Sequence, residues 1–310
     1  MSQVRNTQCV STGGFLRVIK MTTLVSAVDV VRSTFNFSVD KFPLSGPDNM
    51  PTPYYGLFKS DDGECLNAVS DKYYVHTTDD VVALTEAAQT AFDDSVTVSA
   101  YWRKGHHITI QPSADQRRSV FGTKDNVFPR FLLHAGYNDT PISCSLGFWR
   151  DACSNLCRLR SVSGTHTSIK HLGSARGRMD ELISVFQGLK EGWATLTETI
   201  AHMEAKKVSL VDFLQAVYPI KEEATQAAIT RQKNTIRDIF KRVQDERWKT
   251  GRPSILGSFE VSAFEAFQGV HGNVFWSDKK GKGVSNELAR FLNAERSQFV
   301  ARAESLAVSV

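Results

Sequence analysis

The apolar residues of this chain change their period once, near Arg150, and that change limits the folds open to it. Before it, short runs alternate apolar and polar residues between turn signals, the mark of half-buried strands. After it, apolar residues recur every three or four positions, the mark of helices.

From Tyr54 the run YYGLFKS, a DDG turn and ECLNAVSDKYYVHT predict a hairpin. TTDDVVALTEAAQTAF predicts a helix, with Thr77 or Thr78 as N-cap, acids in the first turn, and Val82, Leu84, Ala88 and Phe92 on the buried stripe. SVTVSAYW, RKG and HHITIQPS then form strand, turn and strand. VFPRFLLHAGYNDTPISCSLGFWR repeats the theme around a Gly-Tyr-Asn-Asp turn. Upstream, four prolines and a glycine in PLSGPDNMPTP predict an exposed linker.

Beyond Arg150, FWRDACSNLCRLR is expected to be a helix whose Cys153, Leu156 and Cys157 pack inward. Residues 177–206 carry a helical period. VSLVDFLQAVYP has Ser209 and Asp212 in capping-box positions and Pro219 as a stop. EEATQAAITRQKNTIRDIFKRVQDERWK reads as one long amphipathic helix, SAFEAFQGVHGNVFW as apolar and partly helical, and WSDKKGKGVSN as a basic loop. NELARFLNAERSQFVARAESLAV closes the chain as a final helix. The class is therefore α+β: antiparallel hairpins packed with one helix in the N-terminal half, then a mainly helical C-terminal half. The expected organisation is an N-terminal extension and linker (1–50), a basic α+β core domain (51–180) and a helical region (181–310).

Charge adds the first functional hint. Residues 101–180 hold 12 Lys and Arg against 5 Asp and Glu, whereas residues 1–100 hold 7 against 12. A concentrated basic region attracts polyanions even in a chain of net charge +4. No apolar run is long enough to span a membrane, and the N-terminus lacks the apolar core of a secretory signal. Five cysteines without a repeating spacing fit a reducing compartment, so a cytoplasmic protein is expected.

Enzyme chemistry finds little support. Cys153 and Cys157, with His166 and His171, make the one candidate metal centre, yet zinc usually takes cysteine pairs two apart on turns. Buried cysteine as a small hydrophobe is the simpler reading. A Cys153–His171 nucleophile pair has no supporting motif, there is no nucleophile elbow, and KKGKG lacks the remainder of a phosphate loop. Asp115, Asp125, Asp139, Asp151 and Asp180 look like turn or capping residues. No cofactor, metal or catalytic residue is expected.

Nucleic-acid binding has more. Tyr101, Trp102, Arg103 and Lys104, with His106 and His107, place aromatics and bases around one hairpin. Arg117, Arg118, Arg150, Arg158, Arg160, Lys170 and Arg176 continue the positive series. Bases stack on Tyr or Trp while Arg and Lys hold phosphates, which is how single strands are gripped without sequence reading. Ordinary core packing for the tryptophans and a solvated surface for the arginines are the competing readings. A second functional class is a structural or host-interaction protein acting through the helix at 222–249 and the apolar SAFEAFQGV segment.

The run YYGLFKSDDGECLNAVSDKYYVHTTDDVVAL is similar to the opening of a phage- and plasmid-encoded family known only as a domain of unknown function. LLHAGYNDTPISCSLGFWRDACSNLCR, ending in Arg150, Asp151, Ala152, Cys153, Ser154 and Asn155, resembles that family's hairpin and its Arg-x-x-Cys-x-Asn element. IKHLGSARGR resembles its basic His segment, and SAFEAFQGVHGNV its late helix. The resemblance spans roughly residues 50–275 and implies no activity and no catalytic residues. It does imply a role in DNA replication or recombination, and the order of elements is similar to that of Rad52-like single-strand annealing proteins. A non-enzymatic, homo-oligomeric protein binding single-stranded DNA, with no membrane partner, is the expectation.

Overall fold

The computed structural model describes residues 7–12, 15–20, 26–91, 96–102, 104–112, 116–137, 141–162, 165–172, 174–277 and 287–309. In chain order these form β1 (Thr7–Thr12), β2 (Phe15–Lys20), α1 (Ala27–Thr34), β3 (Val39–Ser45), β4 (Pro51–Lys59), β5 (Cys65–Ser70) and α2 (Thr78–Ala91). There follow β6 (Val96–Trp102), β7 (Gly105–Pro112), β8 (Arg118–Ser119), β9 (Asn126–Gly136), β10 (Ile142–Arg150), β11 (Asn155–Cys157) and β12 (His166–Ile169). The remainder is mostly helical: α3 (Ala175–Gln187), α4 (Leu189–Ala205), β13 (Lys207–Ser209), α5 (Leu210–Val217), α6 (Gln226–Lys249), β14 (Glu260–Ser262), α7 (Ala263–Phe275), α8 (Glu287–Arg296) and α9 (Gln298–Ser309). The class is α+β, with antiparallel sheets in the N-terminal half and helices dominating the C-terminal half.

The chain gathers into two compact units. The first comprises Met1–Ser113, Arg130–Leu146 and His166–Lys190. Its main sheet runs β12-β10-β9-β7-β6, all antiparallel where register is set. Register explains its two faces, because directly opposed residues on neighbouring strands point to the same side. Val98–Ile110, Ala100–Ile108–Leu133 and Trp102–His106–Ala135 form one face. Helices α1 and α2 pack there, burying Ile108, Ile110 and Leu133 completely. Thr97–Gln111, Ser99–Thr109–Leu132 and Tyr101–His107–His134 form the other, which is largely polar. At the strand ends Gly105 lies against Gly136, where an added Cβ would come within 2.6 Å of the Gly136 Cα. Only glycine permits that approach. Helix α1 begins with a reciprocal capping box between Ser26 and Asp29.

Strands β3, β4 and β5 form a separate three-stranded sheet. The proline-rich stretch expected as a linker is instead the connection of its first hairpin, with Pro47–Asn49 forming one 3-10 turn. Pro43 sits on the edge strand β3 and Pro51 and Pro53 at the start of β4, before it pairs with β5, the places in a sheet that tolerate a residue without a backbone donor.

The second unit comprises Ala114–Pro129, Gly147–Thr165 and Glu191–Val310. Its centre is α7, whose residues Ala263–Gly272 are all buried, and α5, α6, α8, α9, β11 and β14 pack around it. Phe264, Phe267, Val270 and Phe275 are its apolar anchors, each worth about 1.5–3 kcal/mol on burial. Ser209, Thr225 and Ser262 cap α5, α6 and α7 by accepting from Asp212, Ala228 and Glu265 amides. The helical stretch 177–206 divides into α3 and α4 at Gly188, and the final helix divides into α8 and α9 at Ser297.

Two expectations are corrected here. Residues 150–160 are not helical: Arg150 ends β10, a turn at 151–154 carries Ser154 at φ 49°, and β11 pairs back through Phe148–Cys157, Trp149–Leu156 and Arg150–Asn155. Strand pairing satisfies the backbone that a helix would otherwise use, and Asp125 Oδ1 accepts the Ala152 amide to fix the turn. The inward packing of Cys153, Leu156 and Cys157 holds, on a hairpin rather than a helix. Second, SAFEAFQGV is the buried central helix and offers no surface to a partner. The basic loop at WSDKKGKGVSN falls largely on residues 278–286, outside the described residues.

Candidate functional site

The polar sheet face of the first unit carries a row of rings, of which Tyr101 is half-buried and His107 and His134 are buried. Tyr101 stacks on His107 with centroids 4.8 Å apart and planes 7° apart, and His107 stacks on His134 at 4.3 Å. The imidazoles hydrogen-bond to each other through their Nδ1 atoms at 2.8 Å. Strand register produces this row, since Tyr101, His107 and His134 are direct cross-strand neighbours. Exposed Thr97 and Ser99, and half-buried Thr109 and Gln111, extend the same face.

The opposite face ends in a different histidine cluster. His76 and His106 are buried, with Nε2 and Nδ1 3.0 Å apart, and His76 stacks on Tyr137 at 4.1 Å. Tyr137 donates to the His76 carbonyl at 2.6 Å, while His171 stacks on Tyr73 and its Nδ1 meets the Tyr74 carbonyl. Burial lowers the pKa of His106 to about 3 and that of His76 well below its ordinary value. Both are therefore neutral at pH 7 and lie in the interior, not on a basic surface.

The sequence-predicted residues separate accordingly. Trp102 packs against Phe37, with centroids 4.6 Å apart, and against His106 and Tyr137 at the edge of the core. Tyr101, its neighbour, points to the polar face. Lys104 is an exposed turn residue at φ 51°, its ammonium 3.9 Å from Glu64, and Lys170 is exposed. In the second unit Arg117 is exposed, its guanidinium 5.5 Å from the Phe128 ring centre, and Arg160 is exposed beside Glu295. Arg118 is held by Glu204 at 2.6 Å and Arg158 by Glu295 at 2.6 Å. Arg103 lies outside the described residues, and Arg176 lies on α3 with no described side chain.

Sequence reasoning missed a buried ionic network in the second unit. Arg150, expected among the surface cations, is wholly buried; its Nε donates to Asp125 at 2.8 Å and its Nη1 to Glu246 at 2.7 Å. Glu265 receives Arg247 in a two-bonded contact at 2.7 and 2.9 Å and Arg252 at 3.1 Å. Both Arg150 and Arg252 lie over the Phe121 ring. Asp125 thus caps the β10–β11 turn, as its type suggested, and is at the same time an interior counter-ion. Burial opposes the charge on Arg150, but Cys153, Glu246 and Asp125 outweigh it and raise the pKa. The only local signal was an arginine at a position of the strand whose alternate neighbours are apolar.

This environment also decides the cysteines. Burial, reinforced by Glu246, pushes the Cys153 thiol up to about 12, and burial with Glu304 and Glu295 raises Cys157 well above its ordinary value. Neither is a thiolate at neutral pH, the form that attacks an electrophile. His166 meets Ser145 at 2.8 Å. Among the described residues no three His, Cys, Asp or Glu are grouped to hold a metal ion, and no helix is long and apolar enough to cross a membrane.

Fold and sites together define an α+β protein of two compact units, one with a ring-bearing polar sheet face and one built on a buried arginine–carboxylate network. A family profile described as Domain of unknown function (DUF932) matches residues 65–306, and the chain belongs to that family. No curated protein and no solved structure matches the chain.

Proposed function

We propose that this protein binds single-stranded DNA without catalysing a reaction on it. The observation that carries the reading is half-buried Tyr101, backed by the buried His107 and His134, on a sheet face where Thr97 and Ser99 are exposed. Aromatic rings on a sheet hold bases, and nearby cations hold phosphates, with little dependence on base identity. Lys104 and Lys170, exposed and in the same unit as Tyr101, suit phosphate, whereas Arg117 and Arg160 belong to the second unit. Arg118 and Arg158 are better assigned to the fold, given their glutamate partners. In this reading the protein is a homo-oligomer acting in replication or recombination of phage or plasmid DNA in the host cytoplasm, as the family resemblance implies.

Fluorescence anisotropy with a labelled oligo(dT), its duplex and increasing salt tests it. Binding that prefers the single strand and weakens steeply with salt is expected; no binding at low salt would sink the proposal. A second reading, protein–protein interaction, draws on Trp248 at the end of α6, which is 81% exposed. Such a tryptophan is a typical hot-spot anchor. Substituting Trp248 without effect on oligomer size in light scattering would remove that support.

A further inference from the structure

In the second unit a polar cavity of about 710 Å³ opens beside the arginine network. Its size lies in the range that encloses a small molecule. Helix α6 supplies one wall: Asp238, Lys241, Arg242, Asp245, Glu246 and Lys249 recur every three or four residues and so share one face. The β10–β11 turn supplies Ala152, Cys153 and Ser154, and α7 and α8 supply Asn273, Trp276 and Arg290.

Three features mark this cavity as built for a ligand. First, Lys241, Arg242 and Lys249 line it beside Asp238 and Asp245, none of the five with a salt-bridge partner among the described residues, so among these five cations outnumber carboxylates by one and Arg290 adds another. Second, Glu246, which is 4% exposed, gives Oε2 to Arg150 at 2.7 Å, while its buried Oε1 has no hydrogen-bond partner. A buried carboxylate oxygen left unpaired is costly unless a donor reaches it. Third, Trp276 is fixed as a flat wall, donating from Nε1 to Asn155 Oδ1 at 2.7 Å with the Arg290 guanidinium 4.3 Å over its ring. Gly272 makes room for this lock, since a Cβ there would lie 2.6 Å from Asn155 Nδ2 and 3.1 Å from Arg242 Cδ.

A single ligand class meets cations, a stacking ring and a carboxylate acceptor together. We propose that this cavity binds a mononucleotide, with its phosphate on Lys241, Arg242 and Lys249, its base against Trp276 and Arg290, and an amino N–H of the base donating to Glu246 Oε1. Arginine suits the first contact because its fork matches phosphate oxygens, and lysine adds charge. The site is built from residues of the second unit alone, and it stands or falls independently of the reading of the sheet face in the first.

Isothermal titration calorimetry of the full chain with AMP and GMP, with adenosine and with inorganic phosphate provides the test. Saturable binding of AMP or GMP is expected, with adenosine and phosphate each at least about tenfold weaker, as loss of one charge-assisted contact set implies. Phosphate binding as tightly as the nucleotide would overturn the base contacts and the proposal with them, and so would no heat from either nucleotide. The double variant Lys241→Gln/Lys249→Gln changes two exposed side chains and should leave the melting temperature unchanged while weakening AMP about tenfold or more. Unchanged affinity in that variant would place the nucleotide elsewhere, including on the sheet face, and overturn the assignment. Trp276→Leu gives a second check should the lysine variant fold poorly: AMP affinity should fall towards that of phosphate, and unaltered affinity counts against the site.

Discussion

Arg150 is the largest side chain that the described residues bury completely. Its charge is tolerable only because Asp125 and Glu246 face it, and removing it leaves two carboxylates buried without a cation. Arg150→Met is therefore expected to destabilise the protein by about 3–5 kcal/mol in urea titration. Replacing all three members by apolar or amide residues of similar size should recover much of that loss. The buried histidines make a prediction of opposite chemistry. His106 and His271 are held near 3 by burial, with Arg242 also disfavouring charge on His271, and burial together with the neighbouring histidines lowers His76. Unfolded histidine binds its proton near the ordinary value of 6.5, so below that pH the unfolded chain takes up protons that the folded chain refuses. Stability is fully present above 6.5 and falls as pH drops towards 3, by about 1.4 kcal/mol per pH unit for each such histidine. Denaturation midpoints at pH 7, 6 and 5 check this, and a flat profile would contradict the buried, neutral assignment.

At the scale of elements, the strand β6 separates two neighbouring aromatics. Trp102 faces the core with Phe37, and Tyr101 faces the polar side with His107. Trp102→Ala should cost about 3 kcal/mol of stability. Tyr101→Ala should instead spare most of the stability and lower oligonucleotide affinity by about 1–3 kcal/mol. Melting and anisotropy on the same pair of variants separate these outcomes. Most elements were readable locally: the hairpin at 54–70 from its Asp-Gly turn, α2 from its acidic first turn, α5 from Ser209 and Asp212. The β10–β11 hairpin was not, because DACSNLC carries no strong turn signal and its cysteine spacing suits a helix face as well. The residue that decides it, Asp125, lies far upstream and caps the turn through Ala152.

At the scale of the molecule, the excess of basic residues at 101–180 is less of a surface than the count suggests. Arg150 is interior, and Arg118 and Arg158 are engaged by Glu204 and Glu295. If Lys104 and Lys170, exposed in the same unit as Tyr101, both meet phosphates, they contribute about −1.4 to the slope of log affinity for a single strand against log salt. Neutralising both should flatten the slope by about that amount, measured by anisotropy across a salt series.

Sequence alone determined the features that neighbours along the chain control: the period of each apolar run, the caps, the α+β class, and a middle third rich in Lys and Arg. Tertiary structure decided which of those side chains reach solvent. Arg150 meets Glu246 at a separation of 96 residues, and Cys153 meets Gln268 at 115. Such pairings leave no periodic trace, because each partner is compatible with a surface until the fold brings the other to it. The same holds for Tyr101 and Trp102, whose opposite roles arise from the alternation of one strand and from which face the helices cover.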